Sequence, residues 1–420
     1  MNLRISSFRI AMLASVLLSA SVSQAADWPQ WRGPERNGIS SETGLLKEWP
    51  KEGPKLLWQS KDIGAGFSTP AVVRDRLYLL SNNGLENEFV AAFSTADGKK
   101  VWSKQVGKVG SPQQQPSYPA ARSTPTVVGD VLYALGSDGD LVCLETATGE
   151  VKWQKNVRTE FGGIAGKWAY AESPLVDGDA VVCTPGGSNT MVALNKKTGD
   201  LIWKCNVPGA DPAAYSSIII VQPPSGKQYV QFVEKGLIGV DAKTGKFLWR
   251  YDKTAKGSPA NIPTPVADDS MIYSATARGG GGLIKLKAND GTFETEQVYF
   301  SPKLPTAIGG AVKIGPNLFG TTGQALVCAD FAGGQLKWEE RSIAPASICS
   351  AEERLYLHGE NGDVALVETN PQSYSEKGRF TPPDQQDRGA AKAWAYPVVA
   401  SGRMYIRDTG CLWCYDIKAK

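Results

Sequence analysis

One histidine in 420 residues, His358, is the most consequential scarcity in this chain. Imidazole is the group on which many metal centres and Ser-His-Asp sites are built, so its near absence leaves no histidine-rich metal centre and disfavours a triad. Long apolar runs are lacking too. The only candidate, Ile10 to Ala20, is shorter than the roughly 20 residues that cross a bilayer, so no membrane span is expected. No charge of either sign dominates: 45 Lys and Arg stand against 42 Asp and Glu, a net charge of +3. Without a basic run, nucleic acid is not an expected partner, and without an amphipathic helix neither is a membrane surface. The first of seven cysteines is Cys143, so none stands near the amino terminus to carry a lipid anchor.

What is present begins with a leader. Arg4 and Arg9 precede the apolar run, and Ser23-Gln24-Ala25 supplies the small residues of a cleavage site. Residues 1–25 therefore read as a signal peptide cleaved after Ala25, and residues 26–420 as one domain of a periplasmic or secreted monomer.

That domain is repetitive. Tryptophans 58, 102, 153, 203 and 249 lie 44, 51, 50 and 46 residues apart, and Trp338 resumes the series after one unit without its tryptophan. Five of them close the phrase small-x-polar-x-x-Thr/Asp/Gly-Gly-x-x-x-Trp, spanning 92–102, 143–153, 193–203, 239–249 and 328–338. The residue pair before the x-x-x, as in Thr148-Gly149, makes a tight turn between two strands, since glycine tolerates positive φ. Upstream, Ser68-Thr69-Pro70 with Leu77-Tyr78, and Ser123-Thr124-Pro125 with Leu132-Tyr133, mark a second hairpin. Four strands per unit of this length make one propeller blade. Inner strands starting near Ser68, Ser123, Glu172, Tyr215, Pro263, Gly309, Ala346 and Ala395 count eight. The expected fold is an all-β, eight-bladed propeller in which the strand ending at Trp58 completes the last blade.

The phrase resembles the tryptophan-docking repeat of quinoprotein-type propellers. That family includes pyrroloquinoline quinone (PQQ) dehydrogenases and a bacterial outer-membrane assembly lipoprotein. The opening Asp27-Trp28-Pro29-Gln30-Trp31-Arg32-Gly33-Pro34 is also similar to the start of exported PQQ-like repeat proteins. In the repeat alignment Cys143, Cys328 and Cys414 share a column with Ala92, Ala193, Gly239 and Ala365, so they read as small core residues. Cys411-Leu412-Trp413-Cys414 reads as coincidence, since Tyr415 replaces the histidine of a haem site. Gly279 to Gly282 lacks the Gly-Lys-Ser/Thr of a phosphate loop and reads as a hairpin connection.

A ligand is expected where the inter-blade connections converge at the channel mouth. Three connections are long, 107–122, 157–172 and 381–396, the last also holding Asp384 and Asp387. The candidate ligand-binding residues are Arg122, Trp168, Tyr170, Glu172, Tyr215, Asn261, Arg388, Trp394 and Tyr396. Glu172 breaks the small-hydroxyl column of Ser68 and Ser123; the plain alternative is a carboxylate paired with an arginine or hydrated in the channel.

The resemblance implies a second reading, a PQQ-dependent dehydrogenase holding Ca²⁺ through a glutamate and an asparagine, with an aspartate as base. Glu172 and Asn261 stand for the first two, and Lys303 or Arg278 for partners of the quinone carboxylates. No aspartate occurs in 301–309, and the adjacent-cysteine disulfide of many such enzymes is missing. The preferred expectation is thus a non-enzymatic binding or scaffold protein of the bacterial envelope. It has no catalytic residue, metal or cofactor, and it recognises a peptide, an envelope protein or a glycan.

Overall fold

The computed structural model describes residues 26–111, 118, 120–258, 260–289, 292–389 and 391–420; the leader 1–25 lies outside the described residues. Alternating short apolar strands and glycine turns fold into eight sheets, each an antiparallel meander of four consecutive strands in seven cases. The inner strands are Ala71–Val73, Thr126–Val128, Leu175–Asp177, Ile219–Val221, Val266–Asp268, Ala311–Ile314, Ala346–Ala351 and Val398–Ala400, numbered here as blades one to eight. They open within four residues of the expected positions. Among the described residues the only helical turns are Val157–Phe161, capped by Asn156, and Lys253–Ala255. The chain is therefore an all-β propeller of eight blades. In the eighth sheet Lys55–Ser60 pairs antiparallel with Cys411–Asp416 as the outermost strand.

Each blade is buried on both faces by its neighbours, so the third strands are continuous apolar runs such as Leu141-Val142-Cys143-Leu144. The repeat tryptophans lock one blade to the next. The indole Nε1 groups of Trp58, Trp102, Trp153 and Trp338 each donate to a carbonyl of the following blade, at Thr95, Thr146, Lys196 and Asn370, all at 2.9 Å. The ring then covers that blade's turn glycine. A Cβ on Gly149 (φ +75) would lie 2.6 Å from the Trp102 ring, and one on Gly98 would lie 2.5 Å from Trp58. Where the fifth unit lacks its tryptophan, Tyr299 takes the place: its hydroxyl donates to Phe331 O and its ring covers Gly334. All seven cysteines are buried and unpaired. Burial pushes the Cys143 thiol up to about 11 and the Cys205 thiol to about 12, which keeps both in the unreactive form.

One reading is corrected. Gly280 to Gly282 is not a connection but the start of the strand Gly280–Asn289, where the backbone passes so close to Tyr273 that a Cβ on Gly281 would meet its hydroxyl at 2.2 Å. The amino-terminal segment does more than resemble a family opening: residues 27–40 lie along the inner strands. Trp28 exchanges main-chain hydrogen bonds with Val72, and Val127 N–H donates to Pro29 O. Arg36 donates to Ser173 O and Pro174 O, Trp31 Nε1 to Thr264 Oγ1, and Arg32 to Ala311 O. Ile39–Ser40 adds a parallel strand to Ala346–Ala351, and Ser40 Oγ donates to Val399 O. Seven of the eight blades are thereby tied to one short segment.

Two measurements check this packing. Gly149→Ala combines positive-φ strain with a clash against Trp102 and should cost about 2–4 kcal/mol, whereas Gly178→Ala, with open space around it, should cost only about 1 kcal/mol. Equal losses in urea unfolding would deny the tryptophan contact any weight. Arg32→Met, which leaves the Asn37 and Ala311 carbonyls without their donor, should cost about 2–4 kcal/mol in the same assay.

Candidate functional site

Seven blades contribute one residue each to a single cavity at the channel mouth, from the position just ahead of the Ser-Thr-Pro-type phrase. These are Phe67, Arg122, Ala171, Tyr215, Ile262, Ile308 and Trp394; the seventh blade has Pro345 there, which does not line it. Trp31, Tyr118, Trp168, Ala260 and Tyr396 complete the wall around about 280 Å³. The phrase explains why this column is held in place. Its second residue bridges neighbouring blades, since Thr124 N–H donates to Ser173 Oγ, Ser173 N–H to Ser217 Oγ, and Tyr396 N–H to Thr69 Oγ1, at 2.9–3.0 Å. The residue before it is left to face the mouth.

Seven of the twelve lining residues are aromatic, and their rings touch in pairs. Trp31 meets Tyr396 at 4.6 Å between centroids, Phe67 meets Trp394 at 4.8 Å, and Tyr118 meets Trp394 at 5.1 Å. Polar atoms of the wall are already engaged. Tyr215 Oη accepts from Trp168 N–H, Tyr396 Oη donates to Ile308 O, and Trp394 Nε1 donates to Glu360 Oε1. Arg122 donates to the carbonyls of Ala120 and Tyr118, and burial lowers its pKa to about 10.

Of the nine residues expected at the mouth, the structure brings five together here: Arg122, Trp168, Tyr215, Trp394 and Tyr396. The other four are placed elsewhere. Tyr170 is buried in the core with its hydroxyl on Pro185 O. Arg388 pairs with Asp408 and donates to Asn361 O and Gln385 Oε1, bracing its own loop. Asn261 donates to the carbonyls of Val233 and Glu234, so its neighbours Ala260 and Ile262, rather than its amide, meet the cavity. Glu172 points inward, where Oε2 accepts from Thr184 N–H; burial raises its pKa to about 8, opposed in part by the charge of Arg36. His358 is likewise structural, buried with Nδ1 on Ala395 O. Trp31, Phe67 and Tyr118 were missed by sequence reasoning. Phe67 shares the repeat column of Arg122 and Trp394 and could have been found there; Trp31 lies outside every repeat.

The fold and its mouth define a class: repeat propellers of quinoprotein-like architecture. The model of the family described as outer membrane protein assembly factor BamB matches residues 36–184, 86–315 and 167–375, and the chain belongs to that family. Curated relatives include BamB of Burkholderia pseudomallei, 26% identical over 64% of this chain and 65% of its own length. Tetrathionate hydrolase of Acidithiobacillus ferrooxidans is 25% identical over 50% of this chain and 42% of its own length. The dehydrogenase subunit of the quinone alcohol dehydrogenase of Komagataeibacter europaeus is 28% identical over 38% of this chain and 25% of its own. The chain thus spans less than two thirds of each. Among solved structures, BamB from Moraxella catarrhalis superposes with a TM-score of 0.61 at 14% identity, covering 89% of this chain and all of that one. A europium-containing methanol dehydrogenase reaches 0.69 at 11% identity, covering 91% and 89%. At these identities the likeness is one of fold.

Glu172 offers a test of the buried interior. Its carboxyl ionises near 4.5 when unfolded and near 8 when folded, so the folded state holds the extra proton between those values and stability falls as pH rises through them. Glu172→Gln should therefore raise Tm relative to wild type at pH 8.5 and leave it almost unchanged at pH 4. A variant equally affected at both would contradict the buried carboxyl described.

Proposed function

We propose that this chain is a non-enzymatic binding or scaffold propeller of the bacterial cell envelope, exported to the periplasm or beyond, with the aromatic mouth as its binding face. One observation carries the reading: the twelve described lining residues include no carboxylate, histidine, cysteine or hydroxyl nucleophile besides tyrosines. A wall of rings with one guanidinium supplies contact area and orientation, and no base to take a proton. The name of the BamB relatives, an assembly factor of the outer membrane, agrees with a protein partner. Among the described residues no helix is long and apolar enough to cross a membrane.

The quinoprotein reading is favoured by its named relatives and by two buried oxygens without partners, Glu172 Oε1 and Asn261 Oδ1. The residues do not fit the group. Neither side chain faces the cavity that would have to hold the quinone: Glu172 turns inward to Thr184 N–H, and the Asn261 amide is spent on the carbonyls of Val233 and Glu234. Lys303 and Arg278 lie exposed on the surface, away from the cavity wall.

Two experiments test the proposal. Mixed with PQQ and Ca²⁺, the purified protein should retain no quinone absorbance on gel filtration and show no dye-linked alcohol oxidation. Co-eluting quinone that disappears in Glu172→Ala would establish the oxidoreductase instead. Cross-linked capture from envelope extract should yield a partner with wild type that is lost with Trp168→Ala/Trp394→Ala. Capture indifferent to both substitutions would remove the mouth as the binding face.

A further inference from the structure

Among the described residues Arg122 carries the only formal charge on the cavity wall. Its guanidinium is steered by the neutral carbonyls of Ala120 and Tyr118, and among the described residues no carboxylate forms an ion pair with it. The acid that influences it most is Glu88. That carboxyl is committed to Ser137, from which Oε2 accepts both the main-chain N–H at 2.8 Å and the hydroxyl at 3.1 Å. Burial raises its pKa to about 8, which weakens its charge beside the arginine, and no ion pair joins the two. The mouth therefore holds an uncompensated positive charge among rings, where water screens it poorly and an incoming anion would be strongly favoured.

Other ligand chemistries fit this wall less well. A cationic guest would suit the rings alone but is repelled by Arg122. A glycan would need many free polar partners, and the hydroxyl of Tyr396 and the indole N–H groups of Trp31 and Trp394 are already bound within the protein. The rings of Trp31 and Tyr396, and those of Phe67, Trp394 and Tyr118, line the same cavity of about 280 Å³ as that guanidinium.

We propose that the mouth takes an apolar, ring-bearing monoanion, its carboxylate on Arg122 and its ring against Trp394 and Phe67. This rests on the binding reading of the mouth and names its ligand class. The chemistry is shared by a free ring-bearing acid and by the terminal carboxylate of a peptide ending in a large apolar residue.

Calorimetric titration of the full chain separates these sources and tests the class. Naphthalene-2-acetate is compared with naphthalene-2-acetamide, and N-acetyl-glycyl-phenylalanine with its carboxy-terminal amide. A charge-assisted pair predicts that the acid of at least one couple binds about 10–100-fold more tightly than its amide. Preference confined to the naphthalene couple identifies a free acid; preference in the peptide couple identifies a chain end. Arg122→Gln should abolish the preference and Arg122→Lys should retain part of it, while Trp394→Ala should weaken acid and amide alike. Equal binding of acid and amide, no binding of either acid, or a preference that survives Arg122→Gln would overturn the proposal. If Arg122→Gln fails to fold, the wild-type comparison still decides the matter. A partner captured through Trp168 and Trp394 together with equal acid and amide affinities would sink this inference and leave the binding reading standing. An acid preference with capture indifferent to those tryptophans would do the reverse.

Discussion

The ring depends on what fills its axis. Eight inner strands of three to six residues converge there, and the inward edge of each presents main-chain groups with no further strand to pair them. Residues 27–40 supply those partners. Trp28 and Ile39–Ser40 do so as strand, and Arg32 and Arg36 do so with side chains that reach opposite sides of the ring, at blades six and three. Both arginines adopt positive φ, 59° and 53°, a conformation costing about 1–2 kcal/mol for a residue with a Cβ. Both are nearly inaccessible to solvent. Such strain and desolvation persist only where the surroundings over-determine them, here by carbonyls converging on the guanidinium groups. Gly38 belongs to the same arrangement, since a Cβ there would meet Arg32 and Val312 below 3 Å.

Around that axis two repeated devices set the spacing of the blades. Near the rim, an indole donates across the gap and covers a glycine of the following blade. Near the centre, a hydroxyl of the Ser-Thr-Pro phrase accepts the N–H of the preceding blade. Both join each blade only to its neighbour, so blade number follows from how many units the chain carries. At the seam between blades eight and one, Arg407 strengthens the joint, donating to Ser68 O, Leu80 O and Ser81 Oγ while wholly buried.

What repeats in sequence was legible, and what occurs once was not. The tryptophan phrase placed the blades because packing against an identical neighbour imposes the same demand on every unit. The cysteine columns were readable for the same reason. The axial segment repeats nothing, and several of its hydrogen bonds join positions more than a hundred residues apart, such as Arg32 with Ala311. Nothing local distinguishes Trp31 at the mouth from Trp28 in the core. At the site, chain position ahead of an inner strand was informative while direction was not. Tyr170 and Glu172 flank Ala171, which lines the cavity, and both turn away from it. A shift of one residue in extended chain reverses the facing of the side chain.

The phrase also separates the ring's stability from its ligand. The phrase residues that bridge blades stand two positions after the column that faces the mouth, so Phe67, Arg122, Ala171, Tyr215, Ile262, Ile308 and Trp394 differ widely while hydroxyls recur at the bridging position. A wall built from one free position per blade can be recomposed without disturbing an indole dock or an inter-blade hydrogen bond. This accounts for a fold whose relatives carry the names of an assembly factor, a hydrolase and a dehydrogenase. In this chain the same positions supply the rings of Phe67, Tyr215 and Trp394 and the guanidinium of Arg122, and residues from outside the column, Trp31, Tyr118, Trp168 and Tyr396, complete the aromatic wall.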